Sequence, residues 1–290
     1  MDSIALLPHS GKGEALALAS RLIPQLEARG TKVWIEAEVA EKLERPDLCG
    51  PSEELSLCGV ALVLGGDGAL LKAARLVAPF GVPILGVNLG HLGFLTEIEP
   101  SRVDEALERL FLGDYDIEER LMLRARVVRS GNVVASHYGL NDAVVTRGNF
   151  ARVVEFETYV DGEAIGSFLG DGVIIATPTG STAYSLSAGG PIVNPKVEAL
   201  IVTPICPHTV GARTLVTRPD ERIRIRLTST DEAMLTLDGQ VGESLRPGDE
   251  IHVSRAGKPA RLVTLEGRTF YRLLHTRFLQ SARELQRKDG

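Results

Sequence analysis

A change of hydrophobic period near residue 116 constrains this chain more than any other feature. Before it, short apolar runs such as Ile4 to Leu7, Val33 to Ile35, Val60 to Leu64 and Pro83 to Val87 alternate with stretches of helical spacing. Ala15, Leu18, Leu22 and Leu26 form one such stretch, with Gly30 as its stop. After residue 116 the period becomes two: Leu123, Ala125 and Val127 alternate with Arg124 and Arg126, and Ile223, Ile225 and Leu227 with Arg222, Arg224 and Arg226. The first pattern predicts an open, Rossmann-like parallel sheet flanked by helices, with ligands at the carboxyl ends of its strands. The second predicts antiparallel sheets with a solvated arginine face.

The chain of 290 residues is long enough for two such domains. The expected boundaries are 1–115 for the α/β domain and 116–268 for the β-rich one. Leu273, Leu274, Phe278 and Leu285 predict a terminal helix over 269–290 that docks on one of the domains, the first being the expected one. The acidic stretch 37–57, with Pro46 and Pro51, reads as containing an exposed loop. Ser101 to Asp104 reads as a capping box opening a helix through Leu107, Leu110 and Phe111. Ser130-Gly131-Asn132, Asp161-Gly162 and Asp238-Gly239 are hairpin turn signals.

Charge and apolar run lengths exclude several classes of partner. The net charge is −6, so no global basic field attracts a nucleic acid. No apolar run approaches the ~18 residues that span a bilayer, so no membrane association is expected. The first ten residues lack the basic and apolar regions of a signal peptide. Cys49, Cys58 and Cys206 suggest neither a disulfide framework nor a CxxC pair, so a reduced, cytoplasmic protein is expected.

Thirty glycines are more than average, and they cluster. The most informative cluster is Gly65-Gly66-Asp67-Gly68, where an apolar strand runs into a helix. That geometry offers backbone N–H groups and a positive helix end to phosphate. It is neither a Walker A loop nor a dinucleotide fingerprint, whose third glycine would fall at Leu71. Asp67 is the anomaly. Two unit charges ~4 Å apart repel by about 4 kcal/mol at an effective dielectric of ~20, so an acid among phosphates needs a function. It either coordinates a bound cation or accepts a proton from an attacking hydroxyl; the plain alternative is a helix cap. Lys72 either reaches back to phosphate or lies solvated.

Gly86 to Phe94 is a second glycine-rich turn after a strand. Its His91 has no neighbours at metal-cage spacing, and no protein metal site is expected. The third segment, Gly170 to Pro191, carries six Ser or Thr hydroxyls between Thr177 and Ser187. Hydroxyls and exposed amides suit a polar, hydrogen-bonding ligand; a helix start rich in capping residues is the alternative. Neither GxSxG nor S-x-x-K marks a nucleophilic serine.

Together GGDG at 65–68, GVNLGHLGFLTE at 86–97, Asn141-Asp142 and DGVIIATPTGSTAYSLSAGGP at 171–191 resemble the ATP-dependent NAD kinases of bacteria, in order and spacing, over about residues 3–280. The resemblance implies an active site between an α/β domain and a β-rich domain. It implies transfer of the γ-phosphate of ATP, with Mg²⁺ or another divalent cation, to the 2′-hydroxyl of the adenosine ribose of NAD. Asp67 is similar to the family's general base, and Gly65, Gly66 and Gly68 would bring amides to the phosphates. Lys72 matches a position where a basic residue touches ligand. Asn141 and Asp142 match the pair that holds ribose and amide groups. Asp171 and Thr182, Ala183, Tyr184, Ser185, Leu186 and Ser187 match the dinucleotide pocket, and Arg152 and Gln240 match further contact positions. A homodimer or homotetramer is implied.

Two departures stand out: the arginine of Pro207-His208-Thr209 to Arg213-Thr214 lacks the proline that often follows it, and Leu169 replaces an arginine found in some relatives. Because the glycine turn alone also occurs in lipid and sugar kinases, such a kinase is one rival reading. A dinucleotide sensor without turnover is the other.

Overall fold

The computed structural model describes residues 1–90, 93–148, 154–208, 211–228, 233–265, 267 and 269–276. The chain divides into two compact units, Met1–Glu118 with the segment that starts at Arg261, and Glu119–Ala260.

The first unit runs β1 (Ser3–Pro8), α1 (Gly13–Ala28), β2 (Lys32–Trp34), α2 (Ala37–Lys42), β3 (Val60–Gly65), α3 (Asp67–Val77), β4 (Ile84–Asn88), α4 (Val103–Leu112) and β5 (Asp116–Arg120). All six residues of β3 are buried, as expected of a strand covered on both faces. Residues 37–57 contain α2 and two 3₁₀ turns, Pro46–Leu48 and Ser52–Leu57, joined by mostly exposed irregular stretches at Glu44 and at Cys49 to Pro51, while Val39, Ala40 and Leu55 bury their side chains. One expectation fails locally. The capping box at Ser101 does not form. Pro100 starts a 3₁₀ turn that carries Ser101 inside it, α4 is capped by Arg102 without a side-chain bond, and Asp104 pairs with Arg21 at 2.9 Å.

The second unit is built from β6 (Leu123–Arg129), β7 (Asn132–Gly139), β8 (Asp142–Arg147), β9 (Val154–Val160), β10 (Glu163–Gly170), β11 (Gly172–Ala176), α5 (Tyr184–Ser187), β12 (Leu200–Ile205), β13 (Leu215–Thr217), β14 (Ile223–Leu227), β15 (Ala233–Leu237), β16 (Val241–Leu245) and β17 (Glu250–Arg255). They form two six-stranded sheets, ordered β10-β9-β14-β17-β6-β7 and β13-β12-β11-β8-β15-β16, with antiparallel pairing at each of these contacts. The period-two residues face one another across the sandwich: Leu123, Ala125, Phe156, Ile223, Ile225 and Val253 from one sheet meet Ala143, Val145, Val173, Ile175, Val202 and Leu235 from the other. The second sheet departs from period two. β11 and β12 are buried throughout, because Val144, Ile174, Ala176, Ile201 and Ile205 on the far face pack with Ala188 and Val193. The glycine- and hydroxyl-rich segment is therefore the lid of a small second core. All three hairpin signals form turns, with left-handed backbone at Ser130 (φ 50°), Asp161 (φ 47°) and Asp238 (φ 50°), each followed by a left-handed glycine.

The chain then re-enters the first unit. β18 (Ala260–Thr264) lies within the span expected for the β-rich domain, yet it pairs in parallel with β4 and completes a sheet ordered β2-β1-β3-β4-β18-β5. A strand of five residues carries no periodicity that could reveal which sheet it joins. Residues 270–276 are helical, and the Phe270 ring lies 6.5 Å from that of Phe94 in the same unit. The expected helix positions beyond 276 lie outside the described residues.

Candidate functional site

In the α/β unit the loops after β1, β3 and β4 are stitched together at the carboxyl edge of the sheet. The His9 N–H donates to the Leu64 carbonyl (2.9 Å), the Leu89 N–H to the Gly65 carbonyl (2.9 Å), and Lys12 Nζ to the Leu89 carbonyl (2.8 Å). Gly65, Gly66, Asp67 and Gly68 lie in the middle of this edge, with Gly66 as the N-cap of α3. Asp67 opens the helix but makes no capping bond. Its carboxylate reaches the second glycine-rich turn instead. Oδ2 accepts the Phe94 N–H (2.7 Å), and Oδ1 accepts the N–H groups of Leu95 (3.1 Å) and Thr96 (3.2 Å) and the Thr96 hydroxyl (3.3 Å). A Cβ at Gly93 would lie 1.9 Å from Asp67 Oδ1, so only glycine permits this approach. The acid is half-buried, and it joins two glycine turns that are distant in sequence. Lys72 does not reach back: its Nζ pairs with Glu36 at 2.8 Å and its side chain is half-exposed.

In the β-rich unit the Asn141-Asp142 turn and the segment after β11 meet backbone to backbone. The Thr177 N–H donates to the Asn141 carbonyl (2.8 Å) and the Thr177 hydroxyl to the Leu140 carbonyl (2.5 Å). A Cβ at Gly180 would lie 2.0 Å from the Asn141 carbonyl oxygen. The hydroxyl-rich stretch is less open than its composition suggests. Thr177, Ser181 and Ser185 are fully buried; Ser181 bonds the Pro178 and Val193 backbones, and Ser185 bonds the Thr203 hydroxyl at 3.0 Å. Helix formation over 184–187 turns Ser185 inward and leaves Tyr184 and Ser187 exposed, with Thr182, Ala183 and Leu186 half-buried. Asp171 pairs with Arg147 at 3.1 Å, and both line an open cleft of about 340 Å³ with Tyr184, Thr146 and Ile205.

Asp142 is the most perturbed acid described here. Burial, reinforced by the charge of Asp238, pushes its carboxyl up to about 7. Gln240 is exposed in the β15–β16 turn, where its N–H donates to the Leu237 carbonyl at 2.9 Å. Arg152, like His91 and Thr209, lies outside the described residues. Sequence reasoning missed two residues. Lys12 had a signal, since it sits between two glycines directly after the first strand. Asp238 read only as a turn residue. Among the described residues no three His, Cys, Asp or Glu side chains gather as metal ligands, and no helix is long and apolar enough to cross a membrane.

Yeast NADH kinase complexed with NADH superposes with a TM-score of 0.88 at 25% identity, covering 94% of this chain and 86% of that one. An NAD kinase from Archaeoglobus fulgidus in complex with ATP gives 0.72 at 25% identity, covering 94% and 98%. The ATP-NAD kinase N-terminal domain matches residues 4–115 and the ATP-NAD kinase C-terminal domain residues 140–265. The NAD kinase of Carboxydothermus hydrogenoformans is 49% identical over 85% of this chain and 84% of its own length. That of Heliobacterium modesticaldum is 44% identical over 97% and 99%. The chain belongs to the ATP-NAD kinase family.

Proposed function

We propose that this chain transfers the γ-phosphate of ATP to the 2′-hydroxyl of the adenosine ribose of NAD, yielding NADP. The observation that carries the reading is the Asp67 carboxylate, held among glycine-turn amides in a member of the ATP-NAD kinase family. A ribose hydroxyl is a weak nucleophile at neutral pH. Asp67 accepts its proton as the new O–P bond forms, while the bond from the γ-phosphorus to ADP breaks and ADP leaves. Of its described partners Oδ1 takes three and Oδ2 one, so Oδ2 is the oxygen with acceptor capacity to spare. Gly65, Gly66 and Gly68 supply amides to the phosphates. Lys12, on the same edge, supplies positive charge near them.

The donor set fits a divalent cation that arrives on the oxygens of ATP and water, with Asp67 the only carboxylate in the turn. When bound, Mg²⁺ neutralises phosphate charge that Asp67 would otherwise repel.

Residues 1–115, with β18, then serve phosphate transfer, and the β-rich unit Glu119–Ala260 holds the dinucleotide, through Asn141, Asp142, Asp171, the segment Thr182 to Ser187, and Arg152 and Gln240. Ser185, fully buried with its hydroxyl on Thr203 and its carbonyl on the Gly190 N–H, supports this segment from beneath. A cytoplasmic homodimer or homotetramer completes the proposal. The decisive experiment incubates the purified protein with NAD, ATP and Mg²⁺ and measures NADP. Phosphorylation of diacylglycerol or a sugar phosphate with none of NAD, or tight NAD binding without product, would overturn it.

A further inference from the structure

We infer that Asp238 is a positioning residue of the dinucleotide site, whose carboxylate fixes the backbone from which Asn141 and Asp142 project. The inference rests on the proposed role of those two residues. Asp238 follows β15 in a left-handed conformation (φ 50°) and is 9% exposed. Its Oδ1 accepts the N–H groups of Asn141 (2.8 Å) and Asp142 (3.2 Å), and its Oδ2 accepts that of Leu140 (3.1 Å). Its own N–H donates to the Asp142 carbonyl at 3.0 Å. Four hydrogen bonds from one residue thus bracket three consecutive residues about 97 positions away in the chain.

The demand for them is local. Three successive N–H groups, from Leu140 to the first residue of β8, are bonded to no strand carbonyl among the described residues, and a buried donor left unpaired costs about 1–3 kcal/mol. One carboxylate satisfies all three. An apolar residue at this turn would satisfy none, and an ordinary Asp-Gly hairpin has no need to turn its side chain inward.

Burial is the main reason the Asp142 carboxyl is pushed up, and the Asp238 carboxylate adds to it. On either side of Asp142, β11 presents Ala176 and then Thr177, and β15 presents Leu237 and then Asp238. Asp238 is the charged group that acts on the Asp142 carboxyl, and it opposes ionisation. Near neutrality the site therefore offers a carboxylic O–H donor as well as an acceptor, which suits a ligand hydroxyl or amide carbonyl.

Asp238→Asn tests this, because the amide keeps the shape and an acceptor oxygen but loses the charge. The expected result is a KM for NAD raised roughly tenfold with the KM for ATP little changed, and a thermal midpoint lowered by a few degrees because the side-chain NH2 cannot accept an N–H. The inflexion near pH 7 in kcat/KM for NAD should move to lower pH, since the charge that opposes ionisation of Asp142 is gone. Hydrogen exchange at the amides of Leu140, Asn141 and Asp142 should accelerate in Asp238→Ala; in Asp238→Asn the acceleration should be confined to the amides that face the side-chain NH2 in place of an oxygen. An unmoved KM and an unmoved inflexion in Asp238→Asn overturn the inference, as does unchanged exchange in a folded Asp238→Ala. If Asp238→Ala does not fold, the Asn variant decides alone. A wild-type protein that leaves NAD unphosphorylated overturns the function instead, and calorimetric NAD binding by wild type and Asp238→Asn then judges the positioning role.

Discussion

Asp67 and Asp238 each gather three backbone N–H groups onto one carboxylate, the first in the α/β unit and the second in the β-rich unit. Both tie a turn to a segment far away in sequence. They differ in access to solvent and in neighbours. Asp67 is half-buried on the edge where parallel strands present their ligands, with a glycine turn on each side. Asp238 is buried behind the Asn141-Asp142 turn and faces another acid. The same hydrogen-bond pattern therefore serves two ends: Asp67 is held ready for a substrate hydroxyl, whereas Asp238 holds the residues that meet the dinucleotide.

The sharpest way to break that division is Asp67→Asn. Loss of the proton acceptor should lower kcat by roughly 10²–10⁴-fold, while calorimetry finds NAD binding largely kept. A fully active variant would leave Asp67 with only the structural half of its role. Glycine substitutions come next. Gly93→Ala drives a methyl into the Asp67 carboxylate and should lower kcat about tenfold or more. Gly180→Ala drives one into the Asn141 carbonyl and should chiefly raise the KM for NAD. If steady-state kinetics show both variants altering the same parameter, the two regions do not divide the work.

A smaller effect concerns pH. In the range from the usual carboxylate value up to about 7, the folded protein keeps the Asp142 proton while the unfolded chain has lost it. The ligand-free protein should lose stability as pH rises through that window, by a few degrees in thermal midpoint. Asp142→Asn should flatten this part of the profile. The least effect is expected from Lys72→Ala, whose exposed pair with Glu36 contributes at most about 1 kcal/mol. An unchanged KM for ATP would remove Lys72 from the phosphate site, and a large rise would return it there.

Much of this was legible beforehand for a physical reason. Period and turn chemistry are local, so the change near residue 116, the all-buried β3 and the three left-handed hairpin turns could be read from neighbours along the chain. Asp67 was legible because a charge in a glycine turn is anomalous in its own sequence context. Asp238 sits in a turn where aspartate is ordinary, and nothing local distinguishes a side chain that faces water from one that faces three amides. Ser185 shows the converse: its hydroxyl looked available in a polar stretch, and four residues of helix turned it onto Thr203.

By itself the sequence determined the two kinds of sheet, the glycine turns and the family, because each depends on residues at fixed short spacing or on a long specific string. The tertiary structure alone decided that β18 joins the parallel sheet, that Lys72 pairs with Glu36, and which groups each aspartate holds. Those outcomes depend on backbone groups brought together across tens to hundreds of residues, and a hydrogen bond is set by that spatial closeness rather than by separation along the chain.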